Sequence, residues 1–293
     1  MKRFLFFLTL LTSLSALAQN NSFFQIPTVP NELQTLQDRS DYLVEHYWDF
    51  CDLNKAFSSR DKMAEAFDTY LSFMPYASAP VVYKQVEAFL KKIKKPEHLL
   101  FIGELAEGAL YSDTASMPSD ELFILFTSNI VKNSKIDKAS KLRYQHLIDV
   151  LSNSQPGSKA PSFDYTELLG DKGTFTVDTT KACTVLFFND PDCSDCNMAR
   201  IRLDADIVTR KLVDNGKVDI YSIYASDPDA EWKEKAISYP ENWKTVASEQ
   251  VNDLYDMRIS PIFYLINPNG AIVHKTGNVN EIIAIMAQLQ NAI

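Results

Sequence analysis

The sequence predicts a chain of two parts, an N-terminal all-helical domain and a C-terminal α/β domain built around a central β-sheet. Two observations support this fold class. Before about residue 151 apolar residues recur at helical spacing, whereas after it short apolar runs alternate with helical segments. Glycine, which marks turns, is also unevenly placed: none of the 8 glycines precedes Gly103, and six lie from Gly157 onward.

The first residues have the pattern of a secretory signal peptide. A basic start is followed by an apolar run over residues 4–11 and by the small residues Ala16 and Ala18, which predicts cleavage after Ala18. A short anchor helix is the alternative, but the run is shorter than the roughly 20 apolar residues that span a bilayer. We therefore expect residues 1–18 to be a signal peptide and the mature chain to be soluble and exported, either periplasmic or secreted.

Composition limits the partners of the mature chain. Loss of residues 1–18 removes Lys2 and Arg3, so the formal net charge changes from −9 to −11. An acidic chain without basic clusters disfavours nucleic acid and anionic membranes as partners. We therefore expect no nucleic-acid binding, and no membrane insertion after signal cleavage.

Residues 19–151 are predicted to form a helical domain of unknown function. Six amphipathic segments are separated by short connections, and three of them have proline near the first position, where its missing N–H costs little. Such a series predicts a helical bundle or array. The segments are 41–52, 58–74, 78–93, 96–111, 118–133 and 137–152.

Residues 152–163 are rich in Ser, Pro and Gly and are predicted to be a linker, followed by the second domain over residues 164–293. That domain begins with a hairpin around Gly170 and Gly173. The run CTVLFFN, residues 183–189, is almost continuously apolar, which is typical of a central strand buried on both faces.

Alternating helices and strands complete this domain. The pattern predicts a helix, a strand, a polar helical stretch, a hairpin of two strands and a closing helix. They lie at 194–213, 217–225, 230–257, 260–277 and 278–293.

Candidate chemistry is concentrated at the turn after the apolar strand. Cys193 and Cys196 form a C-x-x-C pair at the start of the predicted helix. The chain has only 4 cysteines, and a chain of this length can bury a sufficient core without disulfides. A structural disulfide framework is therefore not implied. Cys51 and Cys183 lie in apolar surroundings and are interpreted as inert core thiols.

The C-terminal half resembles the TlpA/ResA-type, thioredoxin-like family of exported thiol-disulfide oxidoreductases. The stretch GSKAPSFDYTELLGDKGTFTVDTTKACTVLFFNDPDCSDC is similar to that family's Ala-Pro-x-Phe start, glycine hairpin, hydrophobic strand and C-x-x-C. The stretch VNDLYDMRISPIFYLINPNGAIV resembles its later strand, which a proline opens before an Asn/Asp-Gly turn. The resemblance implies a thioredoxin-like α/β sandwich for this half. The helical half weakly resembles an uncharacterised domain found in front of such modules.

A thiol-disulfide exchange site needs a nucleophilic thiolate and a second thiol that resolves the mixed disulfide. Cys193 is assigned as the nucleophile, because a helix N-terminus favours its thiolate, and Cys196, one turn further, as the resolving thiol. The resemblance implies that Pro261 is a cis-proline facing the pair and that Ser260 offers backbone groups to an extended substrate. A plain strand-opening proline is the alternative for Pro261.

Three carboxylates, Asp190, Asp192 and Asp195, crowd the pair. At a distance of about 7 Å, each would raise the pKa of a thiol by several tenths of a unit or more. The helix N-terminus lowers that pKa by up to about 1.5 units, so the two effects roughly cancel. A weakly stabilised thiolate means a weakly stabilised reduced form. The pair is therefore predicted to be a reductant or a slow isomerase rather than a strong oxidase.

Two proton acceptors known from related proteins are missing from the sequence. Phe187 and Phe188 occupy the stretch that carries a buried carboxylate in thioredoxin itself. Ala199 stands where ResA-like proteins place an acidic residue after the second cysteine. Proton transfer from Cys196 therefore has no obvious base, which leaves water or one of the aspartates as substitutes.

Two classes of function remain. The first is an exported thiol-disulfide oxidoreductase that acts on protein thiols and disulfides. It needs no cofactor beyond the Cys193–Cys196 disulfide, and family analogy suggests a membrane-embedded thiol reductase as its electron donor. The alternative is a non-catalytic thioredoxin-like scaffold with an inert disulfide and a helical domain that binds a partner. No metal site is expected, because the histidines are scattered and never paired at ligand spacing.

Overall fold

A computed structural model describes residues 24–292, which divide into two compact units. Of these residues, the first unit contains 24–111 and 115–135, and the second contains 112–114 and 136–292. The predicted signal peptide lies outside the described residues. The helical segment predicted over 137–152 falls within the second unit.

The first unit is helical, as the sequence predicted. Short connections separate its helices, and a π-helical turn, Glu107–Tyr111, continues the fifth of them. The helices are α1 Leu36–His46, α2 Leu53–Ala56, α3 Arg60–Phe73, α4 Ala79–Lys92, α5 Pro96–Ala106 and α6 Asp120–Lys132.

Side-chain caps explain where two of these helices begin. Thr35 Oγ1 accepts the backbone N–H of Asp38 at 3.0 Å, so α1 begins at Leu36, five residues before the predicted segment. Ser119 Oγ accepts the backbone N–H of Leu122 at 3.3 Å and starts α6 in the same way. Each cap satisfies an N–H that has no partner within the helix.

Aromatic rings fill much of the core of this unit. Tyr47 stacks on Tyr70 with ring centroids 5.1 Å apart, and Trp48 stacks on Phe89 at 4.4 Å. These four side chains are buried. The aromatic residues that appear at helical spacing in the sequence therefore pack the helices against one another.

The second unit is an α/β structure with one mixed sheet. Within residues 136–292 the strands follow the order β2-β1-β5-β4-β3-β6-β7. The elements are α7 Lys138–Asn153, β1 Asp164–Glu167, β2 Lys172–Thr174, β3 Cys183–Phe188, α8 Ser194–Ala205, α9 Ile207–Asp214, β4 Val218–Tyr224, α10 Ala230–Ala236, β5 Lys244–Ala247, β6 Ile262–Ile266, β7 Ile272–Thr276 and α11 Val279–Ala292.

The central strand β3 confirms the strand predicted from the apolar run. All six of its residues are buried, and it pairs parallel with β4 and antiparallel with β6. Because successive side chains of a strand point to opposite faces, β3 contributes to two cores. Leu186 and Phe188 pack on one face, and Val185 and Phe187 pack on the other, beneath α8 and α11.

Two predicted helical stretches are wrong in part. The helix expected over 194–213 is interrupted, because Asp206 Oδ1 accepts the backbone N–H of Thr209 at 2.8 Å and starts the new helix α9. The stretch expected to be helical over 230–257 contains the short helix α10 and then strand β5. β5 pairs parallel with β4 and antiparallel with β1, so it joins the hairpin β1–β2 to the sheet.

Residues 157–160, inside the predicted linker, pair with the start of β7 and the turn before it. The backbone N–H of Gly157 donates to the carbonyl of Ile272 at 2.7 Å, and that of Ala160 donates to the carbonyl of Gly270 at 2.8 Å. This stretch is therefore an ordered part of the second unit.

Candidate active site

The turn between β3 and α8 is held at its start by Asn189, which is buried. Its Nδ2 group donates to the carbonyl of Phe187 at 3.0 Å and to Ser222 Oγ at 2.9 Å. The hydroxyl of Tyr239 donates to Asn189 Oδ1 at 3.2 Å. These bonds tie the end of the central strand to β4 and to the segment after α10, so the chain leaves the sheet in a fixed direction.

Cys193 and Cys196 form a disulfide at the N-terminus of α8. Cys193 is the N-cap residue, and its Sγ accepts the backbone N–H of Cys196 at 3.1 Å. Cys193 is partly exposed, whereas Cys196 is only 1% exposed. An incoming group can therefore reach the sulfur of Cys193, where the helix terminus favours negative charge.

The Ser260–Pro261 peptide bond is cis, which confirms the predicted geometry, and it lies against the disulfide. Ser260 Oγ is 3.0 Å from Cys196 Sγ and 3.9 Å from Cys193 Sγ. The carbonyl oxygen of Ser260 is 4.0 Å from Cys193 Sγ. The fold thus brings together all four residues that the sequence singled out. The resemblance implied only a backbone role for Ser260 and did not indicate the contact of its hydroxyl with sulfur.

The carboxylates beside the pair are not equivalent. Asp192 forms an ion pair with Lys235 of α10, and Lys235 also donates to Glu231 at 2.8 Å. The hydrogen bond to Asp192, followed by that to Glu231, holds the pKa of Lys235 above its usual range. Asp190 Oδ1 accepts the backbone N–H of Asp192 at 2.8 Å. One of the three carboxylates near Cys193 therefore has its own counter-ion.

A second contact joins the α10 segment to α8. The guanidinium carbon of Arg200 lies 4.4 Å from the centroid of the Tyr239 ring, within the range of a cation–π interaction. Burial raises the pKa of Tyr239. Lys235 and Tyr239 could not be identified from the sequence, because they are 43 and 50 residues from the side chains they bind and no local spacing connects them.

A groove of about 420 Å³ lies beside the disulfide, between α8 and the Ser260–Pro261 bond. Met198, Ile259 and Pro261 give it an apolar lining, with Asp195 and Arg202 as charged groups. Met198 is 65% exposed and Ile259 is 40% exposed. An open apolar groove of this kind is suited to the side chains of a bound polypeptide segment.

The core beneath α8 is apolar. Phe187 is fully buried and stacks on Phe263 with ring centroids 4.6 Å apart, so this position of the central strand holds an aromatic ring. Ala199 of α8 is buried as well. Burial raises the pKa of Cys51 to about 11 and that of Cys183 to about 12. Cys183 is buried, in agreement with its interpretation as a core thiol, whereas Cys51 is only partly buried and lies after the end of α1 at His46.

Two further findings concern residues 24–292. No group of three or more His, Cys, Asp or Glu side chains in this part of the chain is arranged to hold a metal ion. No helix in the same part is both long enough and apolar enough to cross a membrane. Neither finding identifies a substrate or a location.

One family of known sequences matches the N-terminal part of the chain. Residues 11–154 match a family described as a domain of unknown function (DUF5106). No curated protein is significantly similar to the chain in sequence. The helical part is thus similar to a family of domains whose function is unknown.

Among solved structures, a thioredoxin-like protein from Bacteroides caccae matches with a TM-score of 0.74 and 20% identity, over 90% of this chain and 98% of that chain. A conserved protein of unknown function from Bacteroides fragilis matches with a TM-score of 0.42 and 28% identity, over 45% of this chain and 99% of that one. The thioredoxin domain of a thiol-disulfide oxidoreductase from Bacteroides vulgatus matches with a TM-score of 0.40 and 22% identity, over 46% of this chain and 97% of that one. The first likeness confirms the predicted fold class, a helical region followed by a thioredoxin-like domain.

Proposed function

We propose that the chain is an exported, periplasmic thiol-disulfide oxidoreductase of the TlpA/ResA type that works as a reductant. The main support for this proposal is the arrangement of the residues around the disulfide. Cys193 is accessible at a helix N-terminus, Cys196 is buried behind it, and the Ser260–Pro261 bond faces both sulfurs. Exchange through a mixed disulfide needs one accessible thiolate and one shielded resolving thiol, and this arrangement supplies both.

In the proposed reaction the reduced pair donates two electrons to a substrate disulfide. The Cys193 thiolate attacks one substrate sulfur, which forms a mixed disulfide and expels a substrate thiolate that takes a proton from water. The Cys196 thiolate then attacks Cys193 Sγ and expels the second substrate thiolate. The substrate disulfide is reduced to two thiols, and the enzyme pair is oxidised to the disulfide seen in the structure.

The proposed direction rests on the charge around Cys193. The carboxylates of Asp190 and Asp195 oppose the helix N-terminus, and Lys235 offsets part of the effect of Asp192. The thiolate is then only moderately stabilised, which favours a low potential. A reductant must itself be reduced after each turnover, and a membrane-embedded thiol reductase is the proposed electron donor.

The proposed substrates are disulfides of other proteins. The groove beside the pair supports this class, because Met198, Ile259 and Pro261 offer an apolar surface to the residues that flank a substrate cysteine. The backbone of Ser260 lies where an extended segment would pass the pair. The disulfide carries the electrons itself, so the proposal includes no cofactor.

The test is the redox equilibrium of Cys193 and Cys196 against dithiothreitol and glutathione series. We expect a reversible two-electron transition near thioredoxin's potential, about −270 mV, together with catalysed reduction of a protein disulfide such as that of insulin. Cys193→Ser should abolish both, whereas Cys183→Ser should change neither, because Cys183 is buried in the core. A pair that stays oxidised far below that potential would instead be a structural disulfide, and the scaffold alternative would then hold.

A further inference from the structure

The second step of the proposed reaction requires that Cys196 lose a proton, although it is only 1% exposed. Burial away from water disfavours a thiolate. The two positions at which the resemblance to related proteins places an acidic proton acceptor, Phe187 and Ala199, hold buried apolar side chains in this chain. Another group must therefore stabilise the thiolate of Cys196 or conduct its proton to water.

Ser260 has the geometry for this task. Its Oγ lies 3.0 Å from Cys196 Sγ, within hydrogen-bonding distance, and 3.9 Å from Cys193 Sγ. The Ser260 side of this contact is exposed to solvent, whereas the Cys196 side is not. The hydroxyl thus stands between the buried sulfur and water.

We propose that Ser260 is a catalytic residue whose hydroxyl donates a hydrogen bond to the Cys196 thiolate and transfers the thiol proton to water. This inference rests on the proposed oxidoreductase function. As the Cys196 proton leaves, the hydroxyl accepts it and releases its own proton to solvent, so Ser260 is unchanged at the end of the step. The Cys196 thiolate then attacks Cys193 Sγ, the new S–S bond forms, and the substrate thiolate leaves with the electron pair of the mixed disulfide.

Other charged groups near the pair make different contacts. Asp192 is paired with Lys235, and Asp190 accepts a backbone N–H within its own turn. Asp195 and Arg202 face the groove on the outer side of α8. These charged groups contribute to the electrostatic potential at both sulfurs, whereas Ser260 contacts the sulfur of Cys196 directly.

The test measures the pKa of Cys196 in the full chain with Cys193→Ser, from the pH dependence of its alkylation by iodoacetamide, followed on the Cys196 peptide by mass spectrometry. A hydrogen bond to a charged group stabilises it enough to change its pKa by about one to two units. We therefore expect Ser260→Ala to raise the pKa of Cys196 by about one unit or more and to slow its alkylation at pH 7 about tenfold or more. Cys51 and Cys183 are internal controls, because their pKa values of about 11 and about 12 should not respond.

The pair Ser260→Thr and Ser260→Val isolates the hydroxyl, because the two side chains have nearly the same shape. Thr should keep the pKa of Cys196 close to that of the parent, and Val should raise it as Ala does. An unchanged pKa in the Ala and Val variants, or an equal rise in Thr and Val, would overturn the role of Ser260. The alkylation assay does not depend on turnover. A wild-type pair that dithiothreitol cannot reduce would contradict the proposed function, whereas normal exchange with an unresponsive Cys196 would contradict only this inference.

Discussion

Cys193 lies between a helix N-terminus and a carboxylate that has its own counter-ion. The sulfur accepts the backbone N–H of Cys196, which favours its thiolate. Asp192, one residue earlier, disfavours the thiolate, but its ion pair with Lys235 neutralises part of that effect. A count of the aspartates in the sequence therefore overstates the negative potential at the sulfur, because the compensating amine comes from α10.

At the residue scale, we predict that Lys235→Met raises the pKa of reduced Cys193. The unpaired charge of Asp192 would raise this pKa by roughly several tenths of a unit and lower the redox potential accordingly. The measurement is the pH dependence of Cys193 alkylation in the reduced protein. Lys233→Met is the matched control, since Lys233 is exposed on the same helix. The double variant Lys235→Met with Asp192→Asn should remove the increase, and an increase that persisted would show that Lys235 acts independently of Asp192.

At the scale of elements, Asp206 divides what looks like one helix into α8 and α9. Its carboxylate accepts both the backbone N–H and the hydroxyl of Thr209 at 2.8 Å, and Thr209 is 1% exposed. Loss of an N-cap of this kind costs about 1 kcal/mol. We predict that Asp206→Ala lowers the free energy of unfolding in urea by about that amount. Asp206→Ser, which retains a capping oxygen, should stay close to wild type, and equal losses in both variants would argue against the cap.

The extent of successful prediction differs between elements for a physical reason. β3 was identified because a strand buried on both faces is apolar at every position. β5 was missed because its four residues, Lys244–Ala247, begin exposed and end buried, so they show neither a continuous apolar run nor a clear alternation. At the site, the C-x-x-C spacing and the proline were visible in the sequence. The side chains of Lys235 and Tyr239 were not, because only the folded chain brings them to the turn.

At the scale of the whole molecule, buried phenols and thiols make stability depend on alkaline pH. Burial raises the pKa of Tyr47, Tyr70 and Tyr255 and raises that of Cys183 to about 12. In the unfolded chain phenols lose their protons near pH 10, so above that pH the unfolded state binds fewer protons than the folded state. The free energy of unfolding must then fall as the pH rises, whereas below about pH 7, where the thiol and the phenols keep their protons in both states, these groups do not make it depend on pH.

We therefore predict that the urea midpoint of the oxidised protein falls between pH 9 and pH 11 and changes much less between pH 7 and pH 8. Tyr255→Phe provides the matched comparison. It removes the hydrogen bond from the Tyr255 hydroxyl to the carbonyl of Pro161, 2.6 Å long, and should destabilise the protein at pH 7 by about 1 kcal/mol. It should also lose less stability between pH 9 and pH 11, because one of the buried phenols is gone. A midpoint that is independent of pH up to 11 would contradict the argument.

The position of β5 in the sheet has a consequence for shortened forms of the chain. In the sheet, the hairpin β1–β2 is joined to the other strands through the pairing of Thr166 with Ala247 and of Glu167 with Val246. A fragment that ends before residue 244 contains the whole hairpin but not the strand beside which it lies. Such a fragment also lacks β6 and β7, so β1, β4 and the central strand β3 would each have an open edge. Open edges pair readily with strands of other molecules. Truncation in this segment, by proteolysis or by design, should therefore yield fragments that aggregate rather than a smaller stable domain.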